Sequence, residues 1–187
     1  MKKPMSEEEK KEQKKLKQLM LDIKTGDQEK ITGALKSLRV HGNSSVLPLL
    51  LETWQRGVTD KNENEIIEFL SELKHSDSVY PIMNVLNDGK FEEIHQKLLT
   101  TIWNTNIDYS EHLEDFVKIA VKGDFMVALE CLTIIENLEG PFEEQQFLEA
   151  QIELSEYAGV QNKNTQKEQI MSELAKTLKK LEREIIG

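Results

Sequence analysis

The sequence points to an all-α chain built from repeated helical hairpins, on three grounds. The chain has 187 residues with only nine glycines and four prolines, and 6% of it is aromatic, too few turn residues for a many-stranded β protein. Apolar residues recur at helical spacing almost throughout. The pattern itself recurs: the last apolar residues of the first helix in each of four successive pairs, Leu38, Leu73, Ile102 and Ile135, stand about 29–35 residues apart.

Taken in order, residues 1–24 form a charged N-terminal arm or helix. Residues 5–15 have almost no apolar side chain, and Leu16, Leu19 and Ile23 supply a docking stripe. Ile31, Ala34, Leu35 and Leu38 then make one helical face, broken by the turn around Gly42, where Ser44 or Ser45 is placed to cap the next helix. Pro48 falls within or just past that helix's first turn, where a backbone N–H has no intrahelical partner and its loss costs little. Ile66, Phe69, Leu70 and Leu73 repeat the face, followed by a turn and a second proline-bearing helix at Val79–Leu86. Ile94, Leu98, Leu99 and Ile102 begin a third pair, completed by residues 112–121. Ala128, Leu129, Leu132 and Ile135 begin a fourth, completed beyond Pro141. Residues 160–187 form an amphipathic helix. Its Met171, Leu174, Leu178, Leu181 and Ile185 make a short heptad seam, read as a cover for the last repeat or as a joint for weak self-association.

Several chemistries are excluded at this level. The stretch 60–71 imitates a calcium loop, with Asp60, Asn62 and Asn64 in the first ligand positions. But Glu65 stands where the loop needs Gly, and Ser71 replaces its bidentate Glu, so it reads as an inter-repeat loop with Asn62 or Asn64 capping the next helix. His41, His75, His95 and His112 have no metal-ligand spacing, and no phosphate-cradling glycine motif occurs. Cys131 lies in an apolar run and reads as a small buried hydrophobe, while Trp54 and Trp103 each extend an apolar face and read as core. No catalytic, cofactor or metal site is expected. The N-terminus has no apolar region of the signal-peptide type and no segment is long and apolar enough to span a bilayer, so the expectation is a cytoplasmic protein without membrane contact.

The net charge of −10 is unevenly placed. Residues 1–24 carry eight Lys and five acids, and residues 160–187 six basic and four acidic groups. The centre, 25–159, holds ten basic and twenty-five acidic groups. Such a body repels phosphate backbones, so no nucleic-acid ligand is expected, and it favours a protein partner with basic segments.

The stretches Ala34-Leu35-x-x-Leu38 with Val46-Leu47-Pro48-Leu49-Leu50, and Leu70-x-x-Leu73 with Val79-Tyr80-Pro81-Ile82, resemble the HEAT-repeat family over roughly residues 27–158. The third pair lacks the proline, having Asp115 near its place, and the fourth moves it to the turn. The resemblance implies a right-handed α-solenoid of about four HEAT-like hairpins occupying 25–159, with extra N- and C-terminal helices. It also implies that the second helix of each hairpin lines a concave binding face. Ankyrin-like and irregular helical-bundle arrangements are the rival readings.

Placing Leu50, Met83, Val117 and Leu148 at equivalent core positions puts Leu51 and Gln55, Asn84 and Asp88, Lys118 and Lys122, and Glu149 and Glu153 on the outward columns. Leu51 and Tyr80 are the expected exposed anchors. The functional expectation is a non-enzymatic protein-binding scaffold or adaptor. The alternatives are a nucleic-acid-acting protein on the same scaffold, like the DNA glycosylases built that way, and a self-assembling structural protein joined through the C-terminal seam.

Overall fold

The computed structural model describes residues 6–41, 44–105, 107–159 and 165–186. Gly42 of the first expected turn and the side chain of Ile185 in the C-terminal seam lie outside what it describes. Every regular element among the described residues is helical. The contacts divide the chain into two compact units, 1–85 and 86–187.

The first unit opens with α1 (Glu7–Lys24), started by a capping box. Ser6 Oγ accepts from the Glu9 N–H, and the Glu9 carboxylate accepts from the Ser6 N–H at 2.6 Å. The charged arm is therefore a helix from Glu7 onward, and its Leu19 and Ile23 are buried. α1 packs on α2 (Gln28–His41) and on α3 (Leu47–Gln55), and α2 packs in turn on α4 (Asp60–Ser71). α5 runs Val79–Leu86, its last residue falling in the second unit. Arg39 of α2 bridges Glu68 and Glu72, the latter just past the end of α4, across that contact.

The entry to α3 differs from the expected serine cap. Ser44–Val46 form a 3-10 turn that runs straight into the α-helix. The N-cap is Val46 with no side-chain cap, and the Ser44 hydroxyl bonds the Asp77 carboxylate instead. Pro48 is the second residue of α3, where its missing N–H is not needed. Ser76–Ser78 make the same 3-10 entry to α5, and Ser110–His112 make it to α7 (Leu113–Lys122).

The stretch 60–71 is α4 itself rather than a loop. Thr59 is its N-cap, accepting from the Asn62 N–H. Asn62 is fully buried: its amide donates to the Gln28 carbonyl (3.1 Å) and Gln28 Oε1 (2.8 Å), and its Oδ1 accepts from the Thr32 hydroxyl (2.6 Å). A buried amide with all three of these bonds locks α4 to α2.

The second unit holds α6 (Glu92–Ile102), α7, α8 (Phe125–Glu136), α9 (Glu144–Gly159) and α10 (Thr165–Ile186). α7 packs on both α8 and α9, as α1 packs on both α2 and α3 in the first unit. α8 also packs on α6, and α10 stands against α8 and α9. Met171, Leu174 and Leu178 of the C-terminal seam are buried within this unit. Lys167 fixes α10 further. Its Nζ donates to the carbonyls of Val121 (2.6 Å) and Gly123 at the C-terminal end of α7, where a cation also meets the negative end of the helix dipole. Gly123 is required at that junction, since a Cβ there would lie 2.3 Å from Cγ1 of Val127. Cys131 is buried on α8, and burial pushes its thiol pKa up, so it behaves as the small hydrophobe expected. Trp54 is buried as expected and donates to Glu63 (2.8 Å). Trp103 is not core: it sits at the C-terminal cap of α6, where the helix ends, and is 44% exposed.

Candidate partner-binding site

The 3-10 entries give α3, α5 and α7 a common phase. In α3, Leu47, Leu50 and Leu51 face inward and Glu52 outward; in α5, Ile82 and Met83 face inward and Asn84 outward; in α7, Phe116 and Val117 face inward and Lys118 is half-buried. In α9 the adjacent buried pair is Gln146 and Phe147, followed by exposed Leu148. The expected columns are therefore one residue out at both ends. Leu51 is 0% exposed and is a core residue equivalent to Met83, not an exposed anchor. α3 buries apolar side chains on most of its circumference, which leaves the sequence pattern there without a phase. Gln55 moves with Leu51: it is half-buried, and its Oε1 is enclosed with no hydrogen-bond partner among the described residues. Leu148, expected in the core, is 48% exposed. The outward pair on α9 is thus Leu148 and Ile152 rather than Glu149 and Glu153, with Glu149 exposed beside it and Glu153 half-buried on its flank.

The remaining candidates separate. Tyr80 is 73% exposed and Asn84 is exposed, both on α5 as expected. Asp88 is not on a helix face. It lies beyond the end of α5 and caps the 3-10 turn Gly89–Phe91, accepting from the Lys90 N–H (3.1 Å), which holds its pKa below the usual carboxylate value. Lys118 and Lys122 do converge, on a concavity of about 460 Å³ within the second unit. Glu92, Glu93 and Asp124 line the same space, as does the largely buried His95. The lysine pair is thus set among carboxylates and makes no basic track for phosphates.

A second concavity in this unit, about 620 Å³, takes in Glu149. Among the described residues that line it, five are carboxylates, namely Asp108, Glu111, Glu114, Glu143 and Glu149, and none is a cation. Pro141 and Phe142 add apolar surface. One buried side chain assembles this site. The Gln146 amide donates to the Ser110 carbonyl (2.9 Å) and to Glu114 (3.1 Å), and its Oε1 accepts from the Glu143 N–H (2.9 Å) at the start of α9. Ser110 Oγ accepts from the Gly140 N–H (3.0 Å), tying the 140–143 turn to the entry of α7. Gly140 has φ +79°, and a Cβ there would approach the Phe142 ring at 3.1 Å, so glycine suits the turn twice over. Phe142 packs edge-on against Phe147 (centroids 5.8 Å) and carries the turn onto the core.

In the same unit, His112 Nδ1 bonds Asp115 (2.8 Å), and Asn87 donates to the other Asp115 oxygen (3.1 Å). The hydrogen bond from His112 lowers the Asp115 pKa, and the same bond raises that of His112. The described residues contain no cluster of His, Cys, Asp and Glu able to hold a metal ion, and none of their helices is long and apolar enough to cross a membrane.

Asp108, Glu111, Glu114 and Glu143 lie outside the residues that the sequence pattern singles out. Two signals point toward them: the acid excess of the central chain, and α9, which carries four glutamates and no Lys or Arg. No family model, curated protein or solved structure matches this chain.

Proposed function

We propose that this chain is a non-enzymatic, HEAT-like helical-repeat adaptor that binds a basic segment of a protein partner. The observation that carries the reading is the groove lined by five carboxylates without a described cation, framed by the α7 entry, the 140–143 turn and the start of α9. Carboxylates gathered on a concave wall focus a negative field, which speeds encounter with a cationic ligand and selects for it. The repeat assignment is supported by the recurring 3-10 entry to α3, α5 and α7. It is supported too by α1 and α7, each of which packs on the next two helices of its own unit. The setting of Lys118 and Lys122 among acids argues against the nucleic-acid alternative, and the burial of Met171, Leu174 and Leu178 argues against self-assembly through the seam.

The test is fluorescence anisotropy of the full chain with a labelled lysine-rich peptide, at about 50 and about 300 mM salt, a range over which screening grows steeply. Binding should weaken markedly at the higher salt. Glu111→Gln with Glu149→Gln should weaken it about tenfold at low salt, the sum of two partly screened contacts. No binding, or binding indifferent to both changes, would overturn the reading.

A further inference from the structure

The acidic groove adjoins a helix face whose chemistry is more specific than charge. α9 turns about 100° per residue. On that spacing Gln145, Leu148, Glu149, Ile152, Ser155 and Glu156 share one exposed arc, opposite Gln146, Phe147 and Ala150 in the core, with Glu144 at the edge of the arc. Leu148 is 48% and Ile152 58% exposed, one turn apart within the arc. Gln145 and Glu149 also line the groove, so the apolar pair and the acidic wall are contiguous.

We infer that the partner segment is an amphipathic basic helix, laid along α9 with two apolar side chains on Leu148 and Ile152 and its Lys or Arg residues directed at the groove. The inference rests on the basic-segment reading above and adds the partner's secondary structure and its apolar anchors. Charge complementarity selects this occupant: α9 carries Glu144, Glu149, Glu153 and Glu156 with no Lys or Arg, and the groove beside it adds Asp108, Glu111, Glu114 and Glu143. An apolar pair with a charged rim is the arrangement that receives a helix through anchors spaced i and i+4. α9 has sixteen residues, about 24 Å of helix, enough for an occupant of about four turns.

The test compares two labelled peptides of equal positive charge against the full chain: a Leu/Lys peptide with leucines on one helical face, and a lysine-rich peptide without leucine. The Leu/Lys peptide should bind about tenfold tighter, or about 1.4 kcal/mol, and should gain helical circular dichroism on binding. Leu148→Ser with Ile152→Ser should remove that advantage and leave the lysine-rich peptide's Kd unchanged. Both residues are exposed, so the variant's melting temperature serves as the folding control. If the lysine-rich peptide fails to bind, the basic-segment reading falls and this inference with it. If it binds but the leucines add nothing, or the double substitution changes nothing, this inference alone falls. Sedimentation of the chain without peptide supplies one more outcome: a dimer abolished by the double substitution would overturn the partner-helix reading in favour of a second copy.

Discussion

In the first unit the outward pair is Glu52 on α3 and Arg56 at its C-terminal cap, which close an ion pair of 2.9 Å on each other. On α9 of the second unit the pair in the same phase is Leu148 and Ile152, left exposed beside a groove whose described lining holds five carboxylates and no cation. The inward faces follow one rule in both helices, with adjacent buried residues at Leu50 and Leu51 and at Gln146 and Phe147. The inner pattern serves packing and is shared. The outer pattern is where the two helices part: the α3 pair satisfies itself, and the α9 pair leaves apolar surface exposed.

The greatest loss is expected from removing a side chain of the shared inner face. Leu51→Ala should cost about 2–5 kcal/mol, as for a core leucine, while Leu148→Ala should change stability by under about 0.5 kcal/mol. Chemical denaturation of the two variants checks this, and equal costs would mean that the two helices do not share a phase.

The two buried amides come next. Asn62 in the first unit and Gln146 in the second each tie elements of their own unit together. Replacing either with Ala strands buried partners and should cost about 1–3 kcal/mol. Only Gln146→Ala should also weaken binding of the lysine-rich peptide, by several fold, because Gln146 holds Glu114 and the Ser110 turn at the groove. A matching loss in Asn62→Ala, measured where both variants remain folded, would show that Gln146 has no special hold on the groove.

His112 and Asp115 should contribute least. The raised His112 pKa means that its contribution is complete below its ordinary value of 6.5 and is lost as pH rises through the raised folded value. The lowered Asp115 pKa means the opposite: its contribution is complete above its ordinary value of 3.8 and is lost as pH falls through the lowered one. The pair is therefore worth most between these limits, about 1 kcal/mol for a half-buried charge-assisted bond. The stability gap between the native chain and Asp115→Asn should be wider at about pH 5.5 than at about pH 8.5. A gap independent of pH would mean that the charged pair adds nothing to folding.

Much of the helical architecture is legible in the sequence because its causes are local. Amphipathic spacing places helices at Ile31–Leu38, Ile94–Ile102 and Ala128–Ile135, and each lies within an observed helix. The face beginning at Ile66 lies in α4 as far as Leu70, with Leu73 just beyond its end. Pro48 can be placed near a helix start because only there is its missing N–H free of cost. Local pattern misleads where it is ambiguous. The stretch 60–71 reads as a loop because Asp60, Asn62 and Asn64 imitate the start of a calcium loop, but Thr59 caps it as a helix and Asn62 is satisfied from α2.

Local pattern alone thus specified an all-helical chain, the positions of most of its helices and the acidic centre from which the proposed partner's charge is argued. Packing settled which of two neighbouring apolar residues faces the core: Leu51 as well as Leu50 in α3, and Phe147 over Leu148 in α9. A one-residue choice rotates a helix face by about 100°, and an apolar run supplies no reason to prefer either phase. In α9 the reason lies in contacts beyond the helix: the Gln146 bonds to Ser110 and Glu114, and the Phe142–Phe147 contact that seats the turn. The groove has the same origin, since its carboxylates come from segments near 110 and near 145 that only packing brings together.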